Sequence, residues 1–289
     1  MKRVFFLLMC FMPSLAAAQT GWNLVFSDEF NASSLDTSKW GSGFSWGPCG
    51  DDGGVTNCDF PANVTESGGQ LHLIAEKQSG AEDGVTYLYT SGMINTFGKF
   101  TPTYGYFDVR LRMPPGDGFW GDFWLLPVSS GGTSEIDAPE IHYHEPTTLR
   151  EALWSNYCCF YNDPGVGNFY TTWTGPNFFD GTFHVFGLDW EPGSLTYYVD
   201  GVRIAGYTSG TYPPSAPKYL NLSLTVGSTF GDTVDSSTPF PSSMDIDYVR
   251  VYSPASGGCY ASIPAASDPI PSTVCPVPKA PSNLKVIAK

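Results

Sequence analysis

The chain predicts an all-β domain, a sandwich of packed sheets or a barrel, on three observations. Short runs of alternating apolar and polar residues recur along most of the 289 residues. Turn residues punctuate them, with 32 Gly and 24 Pro. No stretch of the chain after its first residues carries amphipathic helical periodicity over three turns. Connections are short and no fixed-period repeat is visible, which disfavours parallel crossover folds and propellers.

Taken in order, the first strand is expected around Trp22, Leu24, Val25 and Phe26. The segment 41–61, rich in Gly and Asp and containing Trp46, reads as a long surface loop. Gln70 to Glu76 alternates Leu71, Leu73 and Ala75 against His72, Ile74 and Glu76. Further strands are expected over Tyr87 to Thr96 and Gly105 to Met113, the second ended by Pro114-Pro115-Gly116. Beyond the central stretch come Leu153 to Phe160, Thr182 to Trp190, Leu195 to Val199, Val202 to Tyr207, Tyr219 to Val226 and Met244 to Tyr252. Asp200-Gly201 between two of these runs is a hairpin signal.

The two ends differ from this body. A basic start (Lys2, Arg3), an apolar run from Val4 to Leu15 and Ala16-Ala17-Ala18 predict a secretory signal peptide over 1–18. As a membrane anchor that run is too short. From about residue 254 to 289, Pro, Ser, Ala and Gly dominate, which predicts a linker-like tail and leaves 19–253 as the domain.

Six cysteines remain after such a cleavage, an even number that suits an oxidising compartment and allows fifteen pairings. Cys49 with Cys58 and Cys259 with Cys275 are the local choices. Cys158 and Cys159 are then left as free thiols or a vicinal bridge. No pair has the C-x-x-C spacing of a metal site. Without Lys2 and Arg3 the chain carries 12 basic against 28 acidic residues, a balance of −16 before histidine. Such acidity argues against nucleic acid and anionic membranes as partners, and less strongly against a polyanionic substrate. Aromatic residues at 15% are the compositional feature that suits a carbohydrate-binding β domain, expected as a monomer.

The central stretch, 119–145, holds the chemistry. Glu135, Asp137 and Glu140 place three carboxyl groups within six residues of an otherwise apolar run that includes Ile136, Ala138, Pro139 and Ile141. Acids in such a setting meet desolvation and mutual repulsion, so a functional reason is sought. Perfect alternation puts Glu135 and Asp137 on one face and Glu140 on the other. Pro139 cannot donate to a ladder and is tolerated at edges and bulges. One extra residue in a bulge there returns Glu140 to the face of Glu135. The outer two backbones are then roughly 13 Å apart, and side chains leaning together bring the carboxyls to about 5 Å, the gap of a retaining glycosidase. Three close acids also imply at least one raised pKa. A calcium cluster is the rival reading, but calcium loops draw on Gly, Asn and Asp spacing that this run lacks.

Glu135-Ile136-Asp137-Ala138-Pro139-Glu140 resembles the E-x-D-x-x-E signature of glycoside hydrolase family sixteen, the laminarinase-like β-glycanases. Flanking segments fall in that family's order: Asp28-Glu29-Phe30, Tyr104-Gly105-Tyr106-Phe107, Phe119-Trp120, Phe123 to Pro127, Phe183-His184 to Trp190, and Asp247 to Tyr252. The resemblance covers roughly 21–253. It implies a concanavalin-like jelly roll of two curved antiparallel sheets with the acids on the concave face. It also implies Glu135 as nucleophile, Glu140 as general acid/base and Asp137 as the hydrogen-bonding neighbour that assists ionisation of the nucleophile. No cofactor is implied for catalysis, but a structural calcium is, at positions similar to Glu29, Gly69 and Asp247. Trp120 ahead of Trp124 is expected as a sugar platform, since aromatic faces pack on pyranose rings. His142 and His144 alternate outward after Glu140 and are expected to hydrogen-bond sugar or an acid. Trp190 is expected at the cleft wall. Arg110 is expected either to reach the cleft or to pair with Asp108 or Asp122.

The expected activity is endo-acting hydrolysis of a β-1,3- or β-1,3/1,4-glucan with retention. The bulged signature also occurs in the agarase and carrageenase branches. Thr56-Asn57-Cys58-Asp59 and Asp122 depart from the common glucanase pattern, which leaves a galactan hydrolase as the first alternative. A non-catalytic polysaccharide-binding jelly roll is the second, although a binding module has no need of all three acids.

Overall fold

A computed structural model describes residues 22–44, 47–49, 55–82, 84–128, 135–154, 169–208 and 216–254. Two antiparallel sheets account for most of these. The back sheet has eight strands in the order Val202–Thr208, Ser194–Val199, His184–Glu191, Gly105–Arg112, Ser242–Pro254, Gln70–Ala75 and Val64–Ser67, with Trp22–Asp28 also pairing on Ser242–Pro254. The front sheet has seven: Phe169–Thr174, Thr148–Trp154, Glu135–His142, Phe119–Pro127, Lys218–Val226, Met93–Asn95 and Gly41–Ser42. Sequence neighbours often lie in different sheets, and the fold is the expected jelly-roll sandwich. Among the described residues the helical content is the single 3-10 turn Pro61–Asn63, and no helix is long and apolar enough to cross a membrane.

Alternation decides which side chains enter the space between the sheets. Phe107, Val109 and Leu111 point inward from the back sheet, and Phe123, Leu125, Ile136, Ile141, Leu222 and Leu224 from the front. Phe107 and Phe123 meet across the gap with ring centroids 6.4 Å apart. Each such fully buried side chain contributes about 1.5–3 kcal/mol by leaving water. Tyr197 spans the same gap and donates its hydroxyl to the Ala152 carbonyl at 3.3 Å.

Most expected strands are present, including the hairpin at Asp200-Gly201, where both residues have positive φ (49° and 77°) as its mirror-image turn requires. Two differ. The run over 87–96 is broken into Tyr89–Ser91, which pairs with Asn57–Asp59, and Met93–Asn95, which joins the front sheet; at Gly92 between them the backbone passes so close to Asn63 that a Cβ would lie 2.6 Å from its carbonyl oxygen. The strand expected from Leu153 begins earlier, at Thr148. Cys49 and Cys58 form a disulfide. The signal segment 1–18, Trp46, Cys158, Cys159, Cys259, Cys275 and the tail after Pro254 lie outside the described residues.

Candidate active site

The three acids sit on Glu135–His142, with front-sheet strands on both sides. Ile136, Ala138 and Ile141 of this strand are buried in the core between the sheets, so the strand's other face carries the acids. The ladder holds an extra residue where Pro139 called for one. Asp137 pairs with Ala152 and Glu140 with Arg150, three steps on one strand against two on the other. The opposite neighbour shows the same offset, with Trp124 paired to Asp137 and Asp122 to Glu140. The Ala138–Pro139 peptide within this bulge is cis. Without the inserted residue Glu140 would enter the apolar core; with it, Glu135, Asp137 and Glu140 form one row on the outer face.

The surroundings of that row follow from register. Trp120, Asp122 and Trp124 lie beside His142, Glu140 and Asp137 on one flank, and next come Thr225, Ser223 and Asn221. Asp122 is buried and accepts a hydrogen bond from the Ser223 hydroxyl at 3.3 Å, and Ser223 Oγ in turn accepts from the Trp124 indole N–H at 3.1 Å. Glu135 and Asp137 are also buried, while Glu140 keeps 18% of its side chain exposed. A partly exposed carboxyl at the end of a row of buried ones suits the group that must exchange protons with substrate and water.

His142 and His144 follow Glu140 on alternate positions, and both meet Asp232. His142 Nδ1 lies 2.6 Å from Asp232 Oδ2, and His144 Nδ1 lies 3.0 Å from Oδ1. The Ser228 hydroxyl donates to Asp232 Oδ2 at 2.9 Å. Burial alone would raise the Asp232 pKa, but the hydrogen bonds from His142, His144 and Ser228 hold it below the ordinary carboxylate range. Burial pushes the His142 pKa down, against the pull of Asp232, so its imidazole is neutral. Trp120 stacks on His142 at 4.8 Å and 20°. Arg150 completes the group, 3.3 Å from His144 Nε2 and 3.0 Å from Glu145. Among the described residues His142, His144 and Asp232 are also the group whose donor atoms lie close enough to hold a metal ion. Their nitrogen–carboxylate hydrogen bonds account for the arrangement without one.

Several expected site residues are placed elsewhere. Trp190 is fully buried in the core against Tyr104 and Phe107 and has no face to offer a sugar, because the back-sheet position it occupies points inward. Arg110 points outward from the back sheet, where it pairs with Asp247 at 2.7 Å and lies over Phe183, on the opposite side of the molecule from the acids. The order of the two tryptophans reverses. Trp120 is on the acid face but is only 7% exposed, covered by His142 and by the edge of Phe230, whereas Trp124 is half-buried and contacts Phe44. Of the residues similar to calcium ligands, Glu29 forms a two-pronged ion pair with Arg250 (2.8 and 2.6 Å) and Asp247 is held by Arg110. Gly69 contributes a left-handed turn residue between two back-sheet strands (φ 76°). With both carboxylates engaged by guanidinium groups, a cation at these positions would draw on backbone oxygens.

Sequence reading missed Asp232, which lies 90 residues from His142 in a loop with no motif, and Glu151. Glu151 is buried on the inner side of Thr148–Trp154, and neither carboxyl oxygen has a hydrogen-bond partner. Burial, reinforced by the Glu140 charge, pushes its pKa up to about 8. An acid flanked by Arg150 and Ala152 in a short strand gives no sequence signal of this kind.

The sequence profile of Glycosyl hydrolases family 16 matches residues 55–250. The chain is 30% identical over 264 residues to "Glucan endo-1,3-beta-glucosidase A1" of Niallia circulans, covering 81% of this chain and 38% of that protein. It is 30% identical over 260 residues to "Endo-1,3-1,4-beta-glycanase EglC" of Rhizobium meliloti, covering 83% and 54%. The chain thus spans about half or less of these relatives' length. The structure superposes on the laminarinase catalytic domain from Thermotoga petrophila with a TM-score of 0.71 at 27% identity, covering 81% of this chain and 98% of that one. Against endo-β-1,3-glucanase from Pyrococcus furiosus the values are 0.71, 30%, 82% and 96%.

Proposed function

The chain belongs to glycosyl hydrolase family 16, and from that premise we propose that it is an endo-acting hydrolase of a β-1,3- or β-1,3/1,4-glucan that retains anomeric configuration. The observation that carries this reading is the bulged register, which brings Glu135, Asp137 and Glu140 into one row on the outer face of the front sheet. Glu135 attacks the anomeric carbon while Glu140 gives its proton to the departing glycosidic oxygen. Water, deprotonated by Glu140, then releases the sugar from Glu135. Asp137, between them, holds the nucleophile and favours its ionised form. Trp124 offers the exposed aromatic surface for a pyranose ring. No cofactor takes part.

A neutral glucan is favoured over a sulfated galactan by the acidity of the chain and by the names of the relatives above. A relative from Sphingobacterium multivorum, 27% identical, is a "Keratan-sulfate endo-1,4-beta-galactosidase", so the galactan reading is tested beside it. Export is part of the proposal and rests on the Met1–Ala18 segment. The polysaccharide is the partner, met by a monomer. A reducing-end assay on laminarin, lichenan, agarose and carrageenan tests the whole reading. Cleavage of laminarin or lichenan is expected. Cleavage of agarose or carrageenan alone moves the assignment to galactans, and binding of laminarin without cleavage of any substrate defeats the catalytic reading.

A further inference from the structure

His142 has one nitrogen whose purpose the fold does not explain. The residue is 1% exposed, its Nδ1 is 2.6 Å from Asp232, and its Nε2 is buried with no hydrogen-bond partner. A carboxylate only accepts, so Nδ1 carries the hydrogen. In a neutral ring Nε2 is then a lone pair. A buried acceptor left without a donor costs free energy, on the order of 1–3 kcal/mol, which a structural histidine would avoid. The nearby carboxyl oxygen is Oε1 of Glu140, at 4.0 Å. Glu140 is the partly exposed member of the row, and catalytic hydrogen bonds are often long before substrate binds.

The ring itself cannot follow. Trp120 stacks on one of its faces, Phe230 meets it edge-on at 6.3 Å, and Asp232 is tied in turn to His144 and Ser228. The titratable and charged groups around it are Glu140, His144 and Glu145 from its own chain segment, Arg150 from the neighbouring strand on one side, Asp122 from the strand on the other, and Asp232 from the loop above. Arg150 and His144 both oppose a positive charge on His142, which keeps it an acceptor.

We infer that His142 is a positioning residue for the acid/base: its Nε2, fixed as a lone pair by Asp232, accepts the hydrogen bond of protonated Glu140 and keeps that carboxyl protonated until a glycosidic oxygen replaces the imidazole as acceptor. This rests on the reading of Glu140 as general acid/base. The proton stays on Glu140 while the imidazole accepts from it and then passes to the glycosidic oxygen; His142 neither gains nor loses one. Accepting from the neutral carboxyl favours that form, so the interaction extends acid catalysis to higher pH.

The test compares pH profiles of kcat/KM for laminarin in the wild type, His142→Phe, which keeps a ring on Trp120, and His142→Gln, whose amide oxygen can accept. The basic limb is expected to move down by about one pH unit in His142→Phe, a roughly tenfold loss above that limb. In His142→Gln it recovers part of the way. Turnover of a dinitrophenyl β-laminaribioside, whose leaving group needs no proton, is expected to fall far less than turnover of laminarin. An unmoved basic limb, or equal losses on both substrates, overturns the role. So does activity lost on dialysis against a chelator and restored by zinc, since both Nδ1 atoms would then be ligands. Glu140→Ala, run alongside, tests the parent reading. Lost laminarin cleavage, with azide-rescued turnover of the dinitrophenyl substrate, supports it, and undiminished laminarin cleavage defeats it whatever His142 does.

Discussion

The outer faces of the two sheets treat acids differently. On the back-sheet side three acids meet an arginine: Asp247 with Arg110 at 2.7 Å, Asp245 with Arg112 at 2.5 Å and Glu29 with Arg250 at 2.6 Å. Asp108 and Asp189 stand apart from one another and are buried, which pushes the pKa of each up to about 7. On the front sheet Asp122, Glu135, Asp137 and Glu140 sit together on two neighbouring strands, and Arg150, opposite Glu140 on the next strand, bonds Glu145 and His144. The three back-sheet pairs spread opposite charges side by side and leave those partners locally satisfied. The front-sheet pattern concentrates acidic side chains in adjoining register positions. Nothing about folding requires that concentration, and a double displacement does.

The sharpest way to break the comparison is to remove one acid from the front. Glu135→Gln is expected to lower laminarin turnover by about 10³-fold or more while melting within a degree or two of the wild type. Near-normal turnover would place the nucleophile elsewhere. The next effect is on stability and concerns Glu151, the inward acid behind the row. Its folded pKa, about 8, stands above the unfolded value of 4.5, so the folded state holds a proton that the unfolded state loses. The contribution of Glu151 to stability is therefore fully present below pH 4.5 and is lost as pH climbs from 4.5 to 8. Glu151→Gln should flatten that slope and stabilise the protein at pH 8 by a few kcal/mol at most, measured by urea denaturation at pH 5 and pH 8. An identical slope in the variant would show that Glu151 is solvated.

Trp124 and Trp120 separate binding from packing on the same face. Trp124→Ala is expected to raise KM for laminarin about tenfold with little change in melting temperature. Trp120→Ala is expected to destabilise by about 3 kcal/mol, because it uncovers His142. The smallest effect belongs to the back sheet: Arg112→Met should cost about 1 kcal/mol or less by thermal melting and leave laminarin turnover unchanged. A large loss of turnover there would contradict the division between the two faces.

Much of this division was legible in the sequence. Alternation around 119–142 separates core from cleft side chains, and Pro139 marks the one place where parity must slip for Glu140 to join Glu135. What alternation cannot say is which face of a two-faced strand looks at the cleft. Arg110 and Trp190 both lie on well-formed strands, yet one points to the far side of the molecule and the other into the core. The two tryptophans fell in the reverse order because Trp120 is covered by Phe230, brought from more than a hundred residues away. Asp232 was invisible for the same reason: its partners are close in space and remote in sequence. Contacts that depend on loop closure leave no periodicity to read.

The central claim, that Glu135 is the nucleophile of a retaining reaction on this strand, is most directly tested by trapping. Incubation with a 2-deoxy-2-fluoro laminaribioside bearing a good leaving group, followed by peptide mass spectrometry, should show one sugar attached to the peptide carrying residues 135–140, with Glu135 as the modified side chain. A label on another residue, or laminarin hydrolysed with no label formed, would contradict it.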